Sequence, residues 1–516
     1  MNEVDYIRPG GEMEFRPSCV GLGQGRPTDP CSIVVFGAAG DLARRELIPA
    51  LYDLACQSLM PEPYTIIGFS REEMNDGSFR EKMREAVARQ RTFDPRHWER
   101  FAPHLHYVQG NFDAPAAGDY SLLCDKLRSL QARHGIPDNV LYHLATPPSF
   151  FCEIVSRLDE TRLAESDKGW RRLVIEKPFG TDEQSARDLD RRILEVFDES
   201  QTYRIDHFLG KETVQNLLVV RFANPSFEPI WNRNYIDHVQ ITVAEDIGIG
   251  TRAGFYEKTG VVRDMVQNHL LQLLCMTAIE PPVRYDGAGL RDETAKVMEA
   301  IRLLDVRHDA VRGQYGPGHM DGEAVPGYRQ EKNVAPDSNT PTYASLRIKI
   351  DNWRWSGVPF YLRTGKRLGR KLTEVAIHFK PTPHLMFPVE RDSLSGNILA
   401  FRLQPEEGIM QTFVAKQPGP GLCLQPVTMN FRYASAFGVE QLPNAYSWLL
   451  HDAMGGDQTL FARADWIYRA WQIVEPVIEH WASEPPHDFP NYAAGSWGPL
   501  AAEGLLRADG RVWKTL

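Results

Sequence analysis

The sequence predicts an α/β domain followed by an α+β domain: an N-terminal doubly wound parallel sheet, then a domain with a large, mostly antiparallel sheet. In the first part of the chain, short apolar runs rich in β-branched residues alternate with helical patterns, as in βαβ units. After residue 205, strand patterns follow one another and long helical patterns are segregated from them, which is typical of α+β domains. A chain of 516 residues can bury more than one core.

The first domain begins with the strand pattern Ser32–Phe36, a continuous apolar run typical of a buried parallel strand. Gly37–Gly40 interrupts this run, and a helical pattern starts at Asp41. The later strand patterns are Tyr64–Ile67, Val140–Leu144 and Leu173–Ile175. Because crossovers between parallel strands are right-handed, residues 31–205 are predicted to form a Rossmann-like, doubly wound domain.

The second domain is predicted over residues 206–516. Its strand patterns lie at 236–244, 343–350, 373–379 and 397–403, and its long helical patterns lie at 262–278 and 445–474. Residues 305–340 are rich in Gly, His and Asp and are predicted to be a long surface excursion. Residues 1–30 contain prolines and acidic residues but no continuous apolar core, which predicts a disordered extension rather than a signal peptide.

Composition excludes several classes of protein. The chain has 58 Lys and Arg against 68 Asp and Glu, a net charge of −10, which argues against binding to nucleic acid or to anionic membranes. No apolar run reaches the roughly 18 to 20 residues that cross a bilayer. The seven cysteines are scattered without a C-x-x-C pair, which argues against a disulfide framework or a structural zinc site. We expect a reducing compartment, the cytoplasm.

The glycine turn after the first strand is the candidate cofactor site. Glycines let backbone N–H groups approach a pyrophosphate, and the following helix N-terminus adds partial positive charge. The spacing is G-x-x-G-x-x-A rather than G-x-G-x-x-G, so an ordinary tight βα turn is the alternative. The cofactor-binding residues predicted here are Gly37, Ala38, Ala39, Gly40, Asp41 and Leu42.

The tip of the second strand indicates NADP rather than NAD. An NAD site usually has an acidic residue there for the ribose 2′-OH, whereas an arginine accommodates a 2′-phosphate. Arg71 occupies the tip, although Glu72 and Glu73 follow it.

Two further segments contain cations beside predicted strands. Lys177 lies in the turn Glu176-Lys-Pro178 directly after a strand, at the sheet edge where ligands bind. Asp206, His207 and Lys211 fall within six residues, and the two cations can donate to a phosphate. The alternatives are an ordinary charged turn and a solvated charge cluster.

Asp264 and His269 lie on a predicted helix, five residues apart. At about 100° per residue they would be roughly 140° apart around an α-helix, too far to pair. A carboxylate that orients His269 should therefore come from elsewhere, and Asp206 is the candidate; Asp264 would then be free to hold substrate hydroxyls. The alternative is a core histidine. The basic residues of 363–371 could line an anionic-ligand site or form an exposed rim.

Together these segments resemble the glucose-6-phosphate dehydrogenase family, in the same order over most of residues 31–500. The segments that carry the resemblance are Gly37–Ala43, Glu176–Pro178, Arg204–Glu212, Arg263-Asp264 with Gln267–His269, Arg363–Lys366, Pro443–Tyr446, Arg463–Asp465 and Ala494–Gly498.

The resemblance implies NADP-dependent oxidation of D-glucose 6-phosphate to 6-phospho-D-glucono-1,5-lactone, the first oxidative step of the pentose phosphate pathway. It implies His269 as general base with Asp206 as its partner, Arg71 at the 2′-phosphate, and Lys177 at both cofactor and substrate. It implies no metal, and a homodimer or homotetramer formed through the large sheet. The remaining implied substrate ligands are His207 and Lys211 for the phosphate, Glu245 and Asp264 for ring hydroxyls, and Lys366 and Lys371 as basic residues near the sugar.

Two residues depart from the family pattern. Phe208 stands where a tyrosine is usual, which removes a phenolic donor near the phosphate, and Ala39 replaces a Ser or Thr of the glycine turn. Two other functions remain open: a related dehydrogenase of an unphosphorylated sugar, and a catalytically inactive NADP-binding sensor.

Overall fold

A computed structural model describes residues 28–90, 92–387, 396–438 and 444–516. The predicted disordered extension, apart from its last three residues, lies outside this range. The chain forms two units, each discontinuous in sequence. The first unit comprises Met1–Glu176, Ile193–Ile205 and Tyr433–Leu460, and the second comprises Lys177–Arg192, Asp206–Arg432 and Phe461–Leu516.

The first unit contains a six-stranded parallel sheet, as predicted. Its strands are β1 (Cys31–Phe36), β2 (Tyr64–Ser70), β3 (Leu105–Gln109), β4 (Val140–Leu144), β5 (Arg171–Ile175) and β6 (Thr202–Arg204). The order β3-β2-β1-β4-β5-β6 reverses direction next to β1, which is the arrangement of dinucleotide-binding domains. The sequence patterns missed β3, which carries polar residues, and β6, which has only three residues.

The second unit contains an eight-stranded mixed sheet, in which only β7 and β13 pair in parallel. Its order is β17-β16-β15-β14-β7-β13-β12-β8, and the mostly antiparallel sheet confirms the predicted fold class. The eight strands of this sheet are β7 (Ile236–Ala244), β8 (Ala310–Gly313), β12 (Tyr343–Lys349), β13 (Pro359–Gly365), β14 (Leu372–Phe379), β15 (Ile398–Gln404), β16 (Gly408–Lys416) and β17 (Leu424–Arg432). Two separate two-stranded sheets pair β10 (Gly318–Met320) with β11 (Glu323–Val325), and β9 (Tyr315–Gly316) with β18 (Tyr492–Ala493).

Helices account for most of the remaining secondary structure. The α-helices are α1 (Ile48–Cys56), α2 (Asp76–Val87), α3 (Pro95–Phe101), α4 (Ser121–His134), α5 (Phe151–Glu160), α6 (Glu183–Leu194), α7 (Glu212–Phe222), α8 (Ala253–Val261), α9 (Leu271–Ala278), α10 (Gly287–Ala300), α11 (Val306–Asp309), α12 (Tyr433–Phe437), α13 (Ala445–Gly455), α14 (Ala464–Ser483) and α15 (Leu500–Arg507). The π-helices are Ala43–Leu47, Ala116–Tyr120 and Val262–Leu270. Among these described helices, none combines the length and the apolar character that a membrane span needs.

Two predicted helical patterns differ from the structure. The pattern 262–278 is a π-helix over Val262–Leu270 that continues into α9, and it follows Gly260, whose φ of +61° interrupts α8. The pattern 445–474 is two helices, α13 and α14, separated by a non-helical connection. Apolar periodicity alone did not reveal either change.

Most residues of the predicted surface excursion 305–340 are exposed or half-buried, but the segment also contributes strands and buried side chains to the fold. It contains β8 to β11, and Tyr315 and Tyr328 within it are fully buried. Its tyrosines join a buried group in the second unit that we call the tyrosine cluster: Tyr256, Tyr315, Tyr328, Tyr343 and Tyr492. A polar, glycine-rich composition concealed these anchors, since a few buried rings are enough to fix a long segment.

Candidate active site

His269 and Asp206 form the centre of the candidate site in the second unit. His269 Nδ1 lies 2.6 Å from Asp206 Oδ1, and both side chains are buried. Asp206 Oδ1 also accepts the backbone N–H of Phe208 at 3.0 Å. The Phe208 ring stacks on the imidazole with centroids 4.1 Å apart. The imidazole is therefore held at one edge by a carboxylate and on one face by an aromatic ring.

Lys177 approaches the opposite nitrogen of the same imidazole. Its Nζ lies 2.8 Å from His269 Nε2 and donates to the backbone oxygen of Asp264 at 3.1 Å. Since an ammonium can only donate, His269 Nε2 accepts, and Nδ1 carries the proton toward Asp206. These partners assign a neutral imidazole with a basic Nε2.

The π-helix explains why Asp264 and His269 both reach Lys177. A π-helix joins residues five apart by its backbone hydrogen bonds, so these two residues lie on the same side, one turn apart. The expected separation of 140° assumed α-helical geometry and is wrong. The carboxylate at His269 Nδ1 is nevertheless that of Asp206, while the Asp264 carboxylate lies 3.8 Å from Lys177 Nζ.

Burial and neighbouring charges shift the pKa values of this group. Burial lowers the pKa of His269, and the charge of Lys177 lowers it further against the opposing effect of Asp206. Burial alone would raise the pKa of Asp206, but the hydrogen bond with His269 and the charge of Lys177 outweigh burial and lower that pKa. Burial also acts to raise the pKa of Asp264, but the charges of Lys177 and Lys366 outweigh burial and lower that pKa. The site therefore keeps a neutral imidazole beside two carboxylates.

A second histidine and a lysine lie next to this pair. His207 has its ring centroid 4.7 Å from that of His269, and burial together with the charges of Lys177 and Lys211 lowers the pKa of His207 well below its usual value. Lys211 Nζ lies 4.2 Å from the centroid of the Phe208 ring and donates to Gln404 Oε1 at 2.6 Å. Burial and the charge of Lys371 lower the pKa of Lys211 to about 8. Gln404 was not predicted as a site residue, because no local sequence motif marks it.

Glu245 and Lys366 form a third group, at the ends of two paired parallel strands. Glu245 follows β7 and Lys366 follows β13, so the sheet register places them side by side. Lys366 Nζ lies 2.7 Å from Glu245 Oε2. Lys371, which directly precedes β14, is exposed. Carboxylates paired with ammonium groups can bind several hydroxyls at once.

Asp206, His207 and His269 also form a possible ligand set for a metal ion, since one ligand atom from each lies within 4.8 Å of the others. Both nitrogens of His269 already have hydrogen-bonding partners. A metal ion there would displace Lys177 or Asp206 from the imidazole. The expectation of a reaction without a metal stays a prediction.

The glycine turn of the first unit fits a dinucleotide. Gly37 has φ +83°, and a Cβ there would lie 2.4 Å from the oxygen of Ala145, so this position requires glycine. The turn closes with a hydrogen bond from Gly40 N–H to the Gly37 oxygen at 2.8 Å. Asp41 pairs with Arg45 at 2.9 Å. The turn thus leads directly into a helix N-terminus, as phosphate binding requires.

Arg71 extends from the end of β2 in the same unit. Its guanidinium carbon lies 4.6 Å from the centroid of the Phe150 ring, and its Nη2 lies 3.4 Å from Asp113 Oδ1. Glu72 pairs with Lys82 at 2.6 Å. Both charges at this tip are paired, but the exposed contact of Arg71 with Asp113 is longer than that of Glu72 with Lys82, so Arg71 is the group that a ligand can engage more readily.

Comparisons with known proteins agree over most of the chain. The family model "Glucose-6-phosphate dehydrogenase, NAD binding domain" matches residues 34–216, and "Glucose-6-phosphate dehydrogenase, C-terminal domain" matches residues 218–514. The glucose-6-phosphate 1-dehydrogenase of Aggregatibacter actinomycetemcomitans is 49% identical over 94% of this chain and 97% of its own length. That of Chlamydia pneumoniae is 44% identical over 96% and 98%.

Solved structures give the same result. A glucose-6-phosphate dehydrogenase in complex with its substrate glucose-6-phosphate superposes with a TM-score of 0.87 at 33% identity, over 95% of this chain and 99% of that one. The glucose-6-phosphate 1-dehydrogenase of Mycobacterium avium superposes with a TM-score of 0.79 at 38% identity and the same coverage.

Proposed function

This chain belongs to the glucose-6-phosphate dehydrogenase family, and we propose that His269 is the general base of its reaction. The enzyme oxidises D-glucose 6-phosphate with NADP, and the product is 6-phospho-D-glucono-1,5-lactone. The observation that carries the proposal is the buried hydrogen bond of 2.6 Å between His269 Nδ1 and Asp206 Oδ1, which leaves Nε2 as the basic nitrogen.

The chemistry needs one proton acceptor and one hydride acceptor. NADP, when bound, supplies the acceptor for the hydride that leaves C1. His269 Nε2 takes the proton of the C1 hydroxyl, and Asp206 holds the ring and stabilises the imidazolium that forms. A lowered pKa keeps His269 neutral, and thus able to accept the proton, at neutral pH.

Lys177 must move for this step. Its Nζ lies 2.8 Å from the nitrogen that would receive the proton. The C1 hydroxyl needs the same lone pair, so we infer that the arriving sugar takes the place of Lys177 at Nε2. The displaced ammonium can then donate to the substrate, in keeping with the implied role of Lys177 at both ligands.

The other predicted substrate ligands fall into two groups, donors for the phosphate and acceptors for the ring hydroxyls. His207 and Lys211 supply donors for the 6-phosphate, and the carboxylates of Glu245 and Asp264 accept hydrogen bonds from ring hydroxyls. Lys366 orients Glu245 through their ion pair. Lys371 adds positive charge at the phosphate side, where it already acts on Lys211.

We assign the dinucleotide to the first unit, and the family resemblance implies Lys177 as a further cofactor ligand. The turn from Gly37 to Leu42 offers backbone N–H groups to the pyrophosphate. Arg71 would pair with the 2′-phosphate in place of Asp113. The ion pair of Glu72 with Lys82 supports NADP over NAD. An NAD site needs a carboxylate there for the ribose 2′-OH, and the carboxylate of Glu72 is already bound to a lysine.

Replacing Lys211 by alanine should raise KM for glucose 6-phosphate about ten- to a hundredfold, the effect of one hydrogen bond to a charged group. Because Lys211 acts on the phosphate and not on C1, kcat should change much less. Steady-state absorbance at 340 nm measures both constants. Lys296→Ala removes an exposed lysine as the control. An unchanged KM for Lys211→Ala would contradict the phosphate role.

The pH dependence of KM should report the same ammonium. The pKa of Lys211 is about 8, so the group is charged below that pH and loses its charge as the pH rises. We therefore expect kcat/KM to fall above pH 8 in the wild type. In Lys211→Arg the side chain stays charged, and this alkaline decline should disappear. An identical decline in that variant would assign it to another group.

A substrate panel tests the function as a whole. The change in absorbance at 340 nm is followed with glucose 6-phosphate or glucose, and with NADP or NAD. We expect turnover with the phosphorylated sugar and a preference for NADP. Faster oxidation of glucose would favour a dehydrogenase of unphosphorylated sugars. No turnover with any pair, despite binding of NADP, would favour an inactive sensor.

The domain bounds, the oligomeric state and the cellular location stay proposals. We propose domains over 31–205 and 206–516, and the end of the parallel sheet at Arg204 supports this boundary. A homodimer or homotetramer through the eight-stranded sheet is supported by the family resemblance, and light scattering on the purified protein would measure it. A cytoplasmic location is supported by the buried thiols of Cys31, Cys124 and Cys275.

A further inference from the structure

Tyr256 carries a buried hydroxyl that the proposed mechanism does not use. The residue lies on α8 and is 2% exposed. Within the described part of the chain, its hydroxyl has no hydrogen-bonding partner. Buried polar groups are nearly always paired, and an unpaired one destabilises the fold unless a ligand or water satisfies it. This hydroxyl therefore requires an explanation.

Tyr256 has two kinds of neighbour. Its ring packs in the tyrosine cluster, with its centroid 6.1 Å from that of Tyr328. Lys366 Nζ lies 5.2 Å from the same ring centroid, and Lys366 pairs with Glu245. Tyr256 is thus a core residue that also neighbours the residues assigned to the sugar hydroxyls.

Burial and nearby negative charges keep this phenol protonated. Burial raises its pKa, and the negative charges of Asp264 and Glu245 raise it further. The group is therefore an O–H at every working pH, able both to donate one hydrogen bond and to accept others. Two carboxylates that only accept, an ammonium that only donates and a phenol that does both would complement a polyhydroxylated ring.

We propose that the Tyr256 hydroxyl hydrogen-bonds a ring hydroxyl of the bound hexose phosphate and thereby helps to determine which sugars are accepted. The inference rests on the proposed function, since it assigns a further ligand to that site. Tyr256 is a binding residue and takes no part in proton transfer, because His269 provides the base. Its loss should weaken the substrate complex and leave the chemical step largely intact.

The first test is Tyr256→Phe, which removes one oxygen and keeps the ring. We expect KM for glucose 6-phosphate to rise about three- to tenfold, as for one hydrogen bond between neutral groups, with kcat, KM for NADP and Tm nearly unchanged. Tyr343→Phe is the matched control. It removes another buried hydroxyl of the same tyrosine cluster, whose neighbours are Ser345, Arg363 and Glu503 rather than the carboxylates assigned to the sugar.

The second test uses analogues of glucose 6-phosphate that lack a single ring hydroxyl. The wild type should lose affinity for each analogue, as each lacks one hydrogen bond. For the one analogue that lacks the hydroxyl contacted by Tyr256, the variant Tyr256→Phe should bind as tightly as the wild type does. For the other analogues, the variant should bind about three- to tenfold more weakly than the wild type. An equal additional loss for all analogues would indicate a structural effect and overturn the proposal.

Failure of this inference is distinguishable from failure of the proposed function. If the wild type does not oxidise glucose 6-phosphate, the proposed function is wrong. If the wild type is active and Tyr256→Phe has the same KM as the wild type, only the role of Tyr256 is wrong. Calorimetric titration of both proteins with glucose 6-phosphate, without NADP, repeats the comparison independently of turnover.

Discussion

Replacing His269 by asparagine should lower kcat by at least about 10²–10⁴-fold, the usual contribution of a general base. Asparagine preserves the polarity of the side chain but cannot take a proton at neutral pH. The hydroxyl and phosphate contacts of the sugar come from other residues, so the Kd of glucose 6-phosphate should stay within a few fold of the wild type. Absorbance at 340 nm gives kcat, and calorimetry gives Kd.

His238→Asn is the matched control for His269→Asn. His238 is also a buried histidine with a carboxylate at Nδ1, that of Asp237 at 2.7 Å, but it lies on β7 within the sheet. If the loss of a buried histidine acted only through stability, each variant would lose activity in proportion to the decrease in its Tm. A kcat near the wild-type value in His269→Asn would refute the assignment of the base.

Replacing Asp206 by asparagine should produce the second large effect, a loss in kcat of about 10²–10⁴-fold. The amide cannot supply the negative charge that stabilises the imidazolium, and its NH₂ group can force the wrong tautomer on His269. KM for both substrates should change little. Asp237→Asn is the control, because it weakens the equivalent contact to His238 outside the site.

The double variant distinguishes a positioning role for Asp206 from an independent one. If Asp206 acts through His269, then His269→Asn with Asp206→Asn should have nearly the same kcat as His269→Asn alone, since residues that act as a unit are not additive. A double variant that is slower by the product of the two single effects would contradict this dependence. Thermal unfolding of all variants verifies that each one folds.

Four of the six strands of the first unit could be predicted from the sequence. Continuous apolar runs identified β1, β2, β4 and β5, and a glycine turn before a helix identified the phosphate site. The missed strands, β3 and β6, are polar or short, and no local pattern showed that Tyr433–Leu460 belongs to this unit. For the second unit the sequence predicted the class of sheet but not the interrupted helices or the buried tyrosines of 305–340, because apolar periodicity reports which residues face a core and not where a helix changes its geometry.

The sequence by itself determined the parallel sheet, the glycine turn and the chemical types present at the site, because strand periodicity, turn residues and short motifs are encoded within a few neighbouring positions. Only the tertiary structure decided which of those side chains meet. Asp206 and Lys177 reach opposite nitrogens of His269 from positions 63 and 92 residues away in the chain. Lys211 meets Gln404 across 193 residues, and Tyr256 is buried with its hydroxyl unpaired by other described residues. Contacts at such separations depend on how whole elements pack, and no local pattern of residues carries that information.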